Sequence, residues 1–314
     1  MATSPPSYAD ITLDDQMFAD DLKQTMEAMR LDSFKSLVNR HEISKMMAVK
    51  LRKLEAYDIV IICDDSTSMN TKTAHPINPR AAPTTRWEEL KVTVQMVTEI
   101  AATLDDDGID VHFLNRDPIR NVFDVRQLDD AFESPPSGHT PITRVLKQVL
   151  SEKRSRAVSE SNKKLLILIA TDGVPTTDMG FDDRLGLWLV LMQERDDAGD
   201  TPVVFLLCTD DEKEVGYLNE WDKEIPGVDT VDDYYTERRE ILAVQGDDFC
   251  FSKGDWVCKM LLGAVDDDID ALDERRVGVM EAAAFYPQMT VPRMPTLLSP
   301  TETMKKKKKK WGLF

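Results

Sequence analysis

The chain has 314 residues, 42% of them hydrophobic and 31% charged, with a formal net charge of -18. A chain of this length buries a large core and suits one full domain with terminal arms, and its composition excludes a fibrous or wholly disordered protein. The acidity excludes broad nucleic-acid binding by the body, because phosphate recognition needs clustered cations, and it favours basic partners or bound cations.

At the start, MATSPPSYAD lacks the basic and apolar regions of a secretory signal, and no apolar run reaches bilayer-spanning length. An intracellular, cytoplasmic location is therefore expected, with a nuclear one left open. Leu13, Met17, Phe18, Leu22, Met26, Met29, Phe34 and Leu37 recur at roughly helical spacing, which predicts an N-terminal helical arm over 1–41. The main domain is assigned to 42–275. It opens with a basic helical pattern from Ile43 to Leu54 and passes to a fully apolar strand, Tyr57 to Cys63.

From there strands and helices alternate. TTRWEELKVTVQMVTEIAATL reads as a long helix capped by Thr84 or Thr85, IDVHFLN as a strand and VRQLDDAF as a short helix. PITRVLKQVLSEKR is a helix with proline in its first turn, and KLLILIAT a buried strand. RLGLWLVLMQER (helix), PVVFLLC (strand), DEKEVGYLNEWDKEI (helix) and KGDWVCKMLLGAV (last helix) complete the series. Several strands are apolar on both faces, so the expected fold class is α/β, a doubly wound, mostly parallel sheet with helices on both faces. In such sheets ligands gather at the carboxyl ends of the strands. Residues 276–314 form a tail whose run Lys305 to Lys310 is expected to be disordered.

Three segments carry the chemistry. DDSTSM leaves the first strand and contains Asp64-x-Ser66-x-Ser68, ATDGVP places Asp172 at the end of another strand, and SGHTPIT sets Thr140 just before a helix. Two carboxylates and three hydroxyls are hard oxygen donors that suit magnesium, whereas calcium prefers more ligands in a looser cage.

Taken together, these pieces resemble the metal-ion-dependent adhesion site (MIDAS) of the von Willebrand factor A (vWA) domain, in the order and on the elements which that family uses. The resemblance spans roughly Tyr57 to Val265. It implies that Ser66, Ser68 and Thr140 bind the metal directly, while Asp64 and Asp172 act directly or through water. The implied cofactor is Mg2+, with Mn2+ or Ca2+ as substitutes, and the implied function is metal-dependent capture of an Asp or Glu side chain of a partner protein. It further implies a shift of the last helix, about Lys253 to Val265, between states of differing affinity. One departure is His139, which stands between Gly138 and Thr140 where the family often has a second glycine.

A scaffolding protein with a vestigial metal site is the alternative. A hydrolase built on Ser66 or Ser68, His139 and Asp172 lacks a GxSxG nucleophile elbow, and phosphotransfer through Asp64 lacks a second acid where Ser66 stands, so the chain reads as no enzyme. His41, His75 and His112 read as structural or solvated, and Trp87, Trp188, Trp221 and Trp256 as packing. Asp105 to Asp107 and Asp266 to Asp268 read as solvated helix ends. Cys63 and Cys208 lie in apolar runs, and none of the four cysteines forms CxxC, so buried free thiols are expected. The proline-rich stretch Asn70 to Pro83 is either a shaper of access to the metal or a surface insertion. The Lys run with the following WGLF suits an anionic membrane or other polyanion, a nuclear address or a solvated end.

Overall fold

The computed structural model describes residues 31–73, 84–104, 107–157 and 163–277. Most of the expected arm, residues 74–83 of the proline-rich stretch, His75, Asp105, Asp106 and the lysine tail lie outside the described residues. Within them, 31–40 are helical, followed by α1 (Lys45–Lys50) and a 3-10 stretch over Leu51–Ala56 in place of one continuous helix.

At the centre is a six-stranded sheet made of β1 (Tyr57–Cys63), β2 (Ile109–Phe113), β3 (Ile119–Val122), β4 (Lys164–Thr171), β5 (Val203–Leu207) and β6 (Val228–Val231), in the order β3-β2-β1-β4-β5-β6. All neighbours run parallel except β3, which pairs antiparallel with β2 at one edge. The fold is thus α/β. Because successive side chains point to opposite faces, β1 sends Ile59, Ile61 and Cys63 into one hydrophobic layer and Val60 and Ile62 into the other. The first layer is closed by α1, by α2 (Arg86–Leu104) and by α8 (Lys253–Leu262). Completing the second are α4 (Ile142–Ala157), α5 (Arg184–Leu189) and α6 (Glu212–Glu224). The short α3 (Asp129–Glu133), α7 (Tyr234–Gln245) and α9 (Asp267–Asp270) fill the connections.

Local chemistry explains the boundaries. Thr85 begins α2 with a capping box, its Oγ1 accepting from Glu88 N at 3.2 Å while Glu88 Oε2 accepts from Thr85 N at 2.7 Å. The helix expected to run through Arg195 changes character after Leu189. Val190 N donates to both Gly186 O and Leu187 O, the register slips, and Val190–Glu194 continue as a π-turn closed by Arg195 N to Val190 O. Strands β3 and β6 and helix α7 were not expected from the sequence. The two strands are four residues long with two apolar residues each, too short for a periodicity to register. Cys63 and Cys258 are buried free thiols, Cys208 is half-buried and Cys250 is exposed. Among the described residues no helix is long and apolar enough to cross a membrane.

Candidate metal centre

β1 and β4 are adjacent at the middle of the sheet, and their carboxyl ends carry Asp64 and Asp172 side by side. The β1–β4 ladder extends one step further through Asp64 N to Ala170 O at 2.9 Å. Asp64 then closes a tight Asx-turn, its Oδ1 accepting from Ser66 N at 2.9 Å. The next residues, Thr67–Asn70, form a 3-10 turn whose Met69 plugs into the core with 0% exposure. That plug explains the methionine among hydroxyls: it pins the loop, so that Ser66 and Ser68 stay over the strand ends.

The polar groups are joined in a chain. Ser66 Oγ and Ser68 Oγ lie 3.0 Å apart, and Ser68 Oγ donates to Asp172 Oδ1 at 2.7 Å. Behind them Thr171 Oγ1 donates to Asp64 Oδ2 at 2.7 Å. Asp64, Ser66 and Asp172 are each at most 2% exposed. Thr140 is buried too, and its loop is stapled to the serine turn by Thr67 N to Gly138 O at 3.2 Å and by Gly138 N to Thr67 Oγ1 at 3.2 Å. Thr176 completes the cradle, its N donating to Thr140 O at 2.9 Å and its Oγ1 accepting from Thr140 N at 3.0 Å. All five residues singled out in the sequence are therefore brought to one end of the sheet. Asp64, Ser66, Ser68 and Asp172 form one linked network, while Thr140 is held beside it by its backbone.

The electrostatics are those of buried carboxylates set close together. Burial, followed by the neighbouring charge of Asp172, pushes the Asp64 carboxyl up to about 7 despite the hydrogen bonds from Ser66 and Thr171. Asp172 has a counter-charge: Arg86, the first residue of α2, places Nη1 at 2.7 Å from Asp172 Oδ2. Its Nη2 donates to Thr209 Oγ1 at 2.7 Å just beyond β5.

The donor set fits a small hard cation. It contains only oxygen, two of its members are buried carboxylates, and neighbouring oxygens around an octahedral magnesium at 2.0 to 2.1 Å lie about 3.0 Å apart, the spacing of the two serine hydroxyls. Both oxygens of Asp64 are already engaged by Ser66 N and Thr171, which suits a supporting role through water. Among the described residues no cluster of three or more His, Cys, Asp or Glu side chains is arranged to hold a metal ion. A site of two carboxylates and three hydroxyls has a different composition.

Sequence reasoning missed the residues that hold the site together. Asp65, also buried, accepts from Asn115 N at 2.8 Å through Oδ1 and pairs with Arg116 at 3.0 Å through Oδ2. Asn115 Nδ2 in turn donates to His139 O at 2.8 Å, next to Thr140. Thr171 was visible as the neighbour of Asp172. Arg86 and Thr209 have no local signal, since their roles depend on which elements meet. His139 is exposed and packs against Gly180, where a Cβ would lie 2.8 Å from its ring.

No protein-family model matches the chain, and no curated protein matches it. Among solved structures, a D319A mutant of the PilB minor pilin from Streptococcus sanguinis is similar over 69% of this chain and 62% of that one, with 12% identity and a TM-score of 0.41. The chain thus spans less than two thirds of the pilin's length, and a likeness this distant carries no argument about fold family or function.

Proposed function

We propose that the chain is a vWA-type, doubly wound domain whose MIDAS-like cluster of Asp64, Ser66, Ser68, Thr140 and Asp172 binds Mg2+, or Mn2+ or Ca2+ in its place, and captures a partner protein through an acidic side chain. The observation that carries this reading is the chain of contacts from Ser66 to Ser68 to Asp172, which joins two segments 104 positions apart at adjacent strand ends. A bound ion would supply an open coordination position for the partner's carboxylate. The protein's own part is to orient the donors. Thr171 and Ser66 N fix Asp64, the Met69 plug fixes the serine turn, and the Thr67–Gly138 and Thr176–Thr140 bonds fix the threonine loop. Three of the five donors are neutral, so they leave much of an ion's charge uncancelled and available to a partner anion.

The second reading, a scaffold with a vestigial site, draws on the Arg86–Asp172 ion pair, in which a side chain already supplies a positive charge. Isothermal titration of the purified chain with Mn2+ and Mg2+ separates the two. Saturable binding abolished by Asp64→Ala or Thr140→Ala, with the circular dichroism spectrum retained, supports the adhesive reading; absence of binding supports the scaffold. Affinity capture run in parallel with Mg2+ and with EDTA then identifies the metal-dependent partner.

A further inference from the structure

Arg86 stands at a place where helix electrostatics disfavour it. The N-terminus of a helix carries partial positive charge, and α2 meets that rule with Glu88 and Glu89 in its first turn, yet its first residue is a cation. The guanidinium is mostly buried, held by Asp172 on one side and Thr209 on the other, and its backbone N donates to Thr71 O at 2.9 Å immediately after the serine turn. Both Asp172 oxygens are engaged in this arrangement: Oδ1 accepts from Ser68 and Oδ2 from Arg86. A cation that takes Asp172 must share the carboxylate with this guanidinium against their mutual repulsion, or displace it.

The structure also offers the guanidinium somewhere to go. Arg86 lines a cavity of about 150 Å³ together with Glu89, Cys208, Asp233, Tyr235 and Trp256. Lys253 lines the same cavity, and Asp233 is engaged as the cap of α7 by Tyr235 N at 2.9 Å and Thr236 Oγ1 at 2.7 Å, which leaves Glu89 as the carboxylate to receive a displaced arginine.

We propose that Arg86 is a built-in competitor of the metal ion, a guanidinium that occupies Asp172 when the ion is absent, moves toward the Glu89 cavity when it binds, and so sets the ion affinity of the site. The inference rests on the metal-binding reading above. It assigns to a residue outside the five donors the role of tuning them. The ion must overcome both an existing charge-assisted hydrogen bond and the repulsion of a nearby positive charge, so the site is weaker than its donors alone would make it.

Titration calorimetry with Mn2+ on the full chain tests this with Arg86→Gln, Arg86→Lys and Thr209→Val. Arg86→Gln is expected to tighten Mn2+ binding by about tenfold or more, because unit charges this close are worth at least that factor in a partly buried site. Arg86→Lys, which keeps the charge, is expected to stay close to the wild type. Thr209→Val touches neither carboxylate and removes the outer tether of the guanidinium together with the acceptor of Asp211 N at 3.2 Å; it is expected to tighten binding by a smaller factor, and it serves if Arg86→Gln does not fold. An ion taken up by Arg86→Gln and not by the wild type also supports the proposal. Binding by the wild type with equal or weaker binding in Arg86→Gln, or equal tightening in Arg86→Lys, overturns it while leaving the metal reading intact. No binding in any of the four proteins overturns both.

Discussion

Thr171 and Asp64, the first at the end of β4 and the second at the end of β1, are joined by a 2.7 Å hydrogen bond between groups that water does not reach. The hydroxyl satisfies the one Asp64 oxygen that the Asx-turn leaves over. Thr171→Val keeps the shape and removes the donor, leaving a buried carboxylate oxygen unpaired. The expected loss is about 1–3 kcal/mol in urea unfolding at neutral pH. Ion affinity is expected to fall as well, because the proton on Asp64 becomes harder to remove. Unchanged stability and unchanged Mn2+ affinity would show that this bond does not support the site.

The pH dependence follows from the direction of three shifts. Burial and then Asp172 raise Asp64 to about 7, burial and then Glu237 raise Asp232 to about 7, and burial and then Asp270 raise Asp222 to about 6. For each group the folded state holds a proton that the unfolded chain, with a carboxyl near 3.8, has released. The folded state therefore binds more protons than the unfolded one across this window. The contribution of these three groups to the stability of the ion-free protein is expected to fall as pH rises from about 4 through about 7. In the proposed metal-binding reading Mg2+ competes with the proton on Asp64, so its stabilising effect should grow over the same window. Melting temperatures measured with EDTA and with Mg2+ across this range check the sign, and Asp64→Asn should remove the ion-dependent part.

Much of this candidate site was legible because its polar residues lie in short motifs at segment ends. The runs YDIVIIC and KLLILIAT are apolar on both faces, so they marked the central parallel strands, and the polar residues that follow them had to sit at the carboxyl ends. What made β1 and β4 neighbours was not visible, because strand order is decided by packing across the whole sheet. The same limit hid Arg86: it is separated from Asp172 by 86 positions, and only the approach of α2 to the end of β4 gives it a partner. The edge strand β3 escaped notice for a different reason, since IRNV offers too little apolar alternation to read as a strand.

Gly138 sits at φ +109, and a Cβ there would lie 2.5 Å from Asn115 Oδ1. Both facts forbid a side chain: the backbone lies in a region that L-residues rarely adopt, and the colliding Asn115 is the residue that anchors His139 O and Asp65. Gly138→Ala is expected to cost about 1–3 kcal/mol through strain and the displaced Asn115. Thr140 should shift with the loop. Ion affinity is thus expected to drop further than stability alone explains, which parallel calorimetry and urea unfolding would reveal.

Away from the site, Lys259 on α8 and Glu237 on α7 form an ion pair at 2.8 Å with both side chains only 3% exposed, and Asp273 lies 3.5 Å from the same ammonium. Burial pulls the lysine down, but Glu237, Asp273 and Asp229 outweigh it and raise it above the ordinary lysine range. Burial likewise raises both Glu237 and Asp229, and the lysine charge is what opposes that rise. Lys259→Met fills similar volume while leaving these acids without their cation, so a loss of about 3–5 kcal/mol at neutral pH is expected. The deficit should shrink on acidification, because protonated Glu237 and Asp229 no longer need a counter-charge. Adding Glu237→Leu to Lys259→Met should recover part of the stability at neutral pH, since one of the two buried acids is then gone while Asp229 remains without its cation. A double variant as unstable as Lys259→Met alone would mean that the lysine acts through Asp229, Asp273 or its packing and not through this pair.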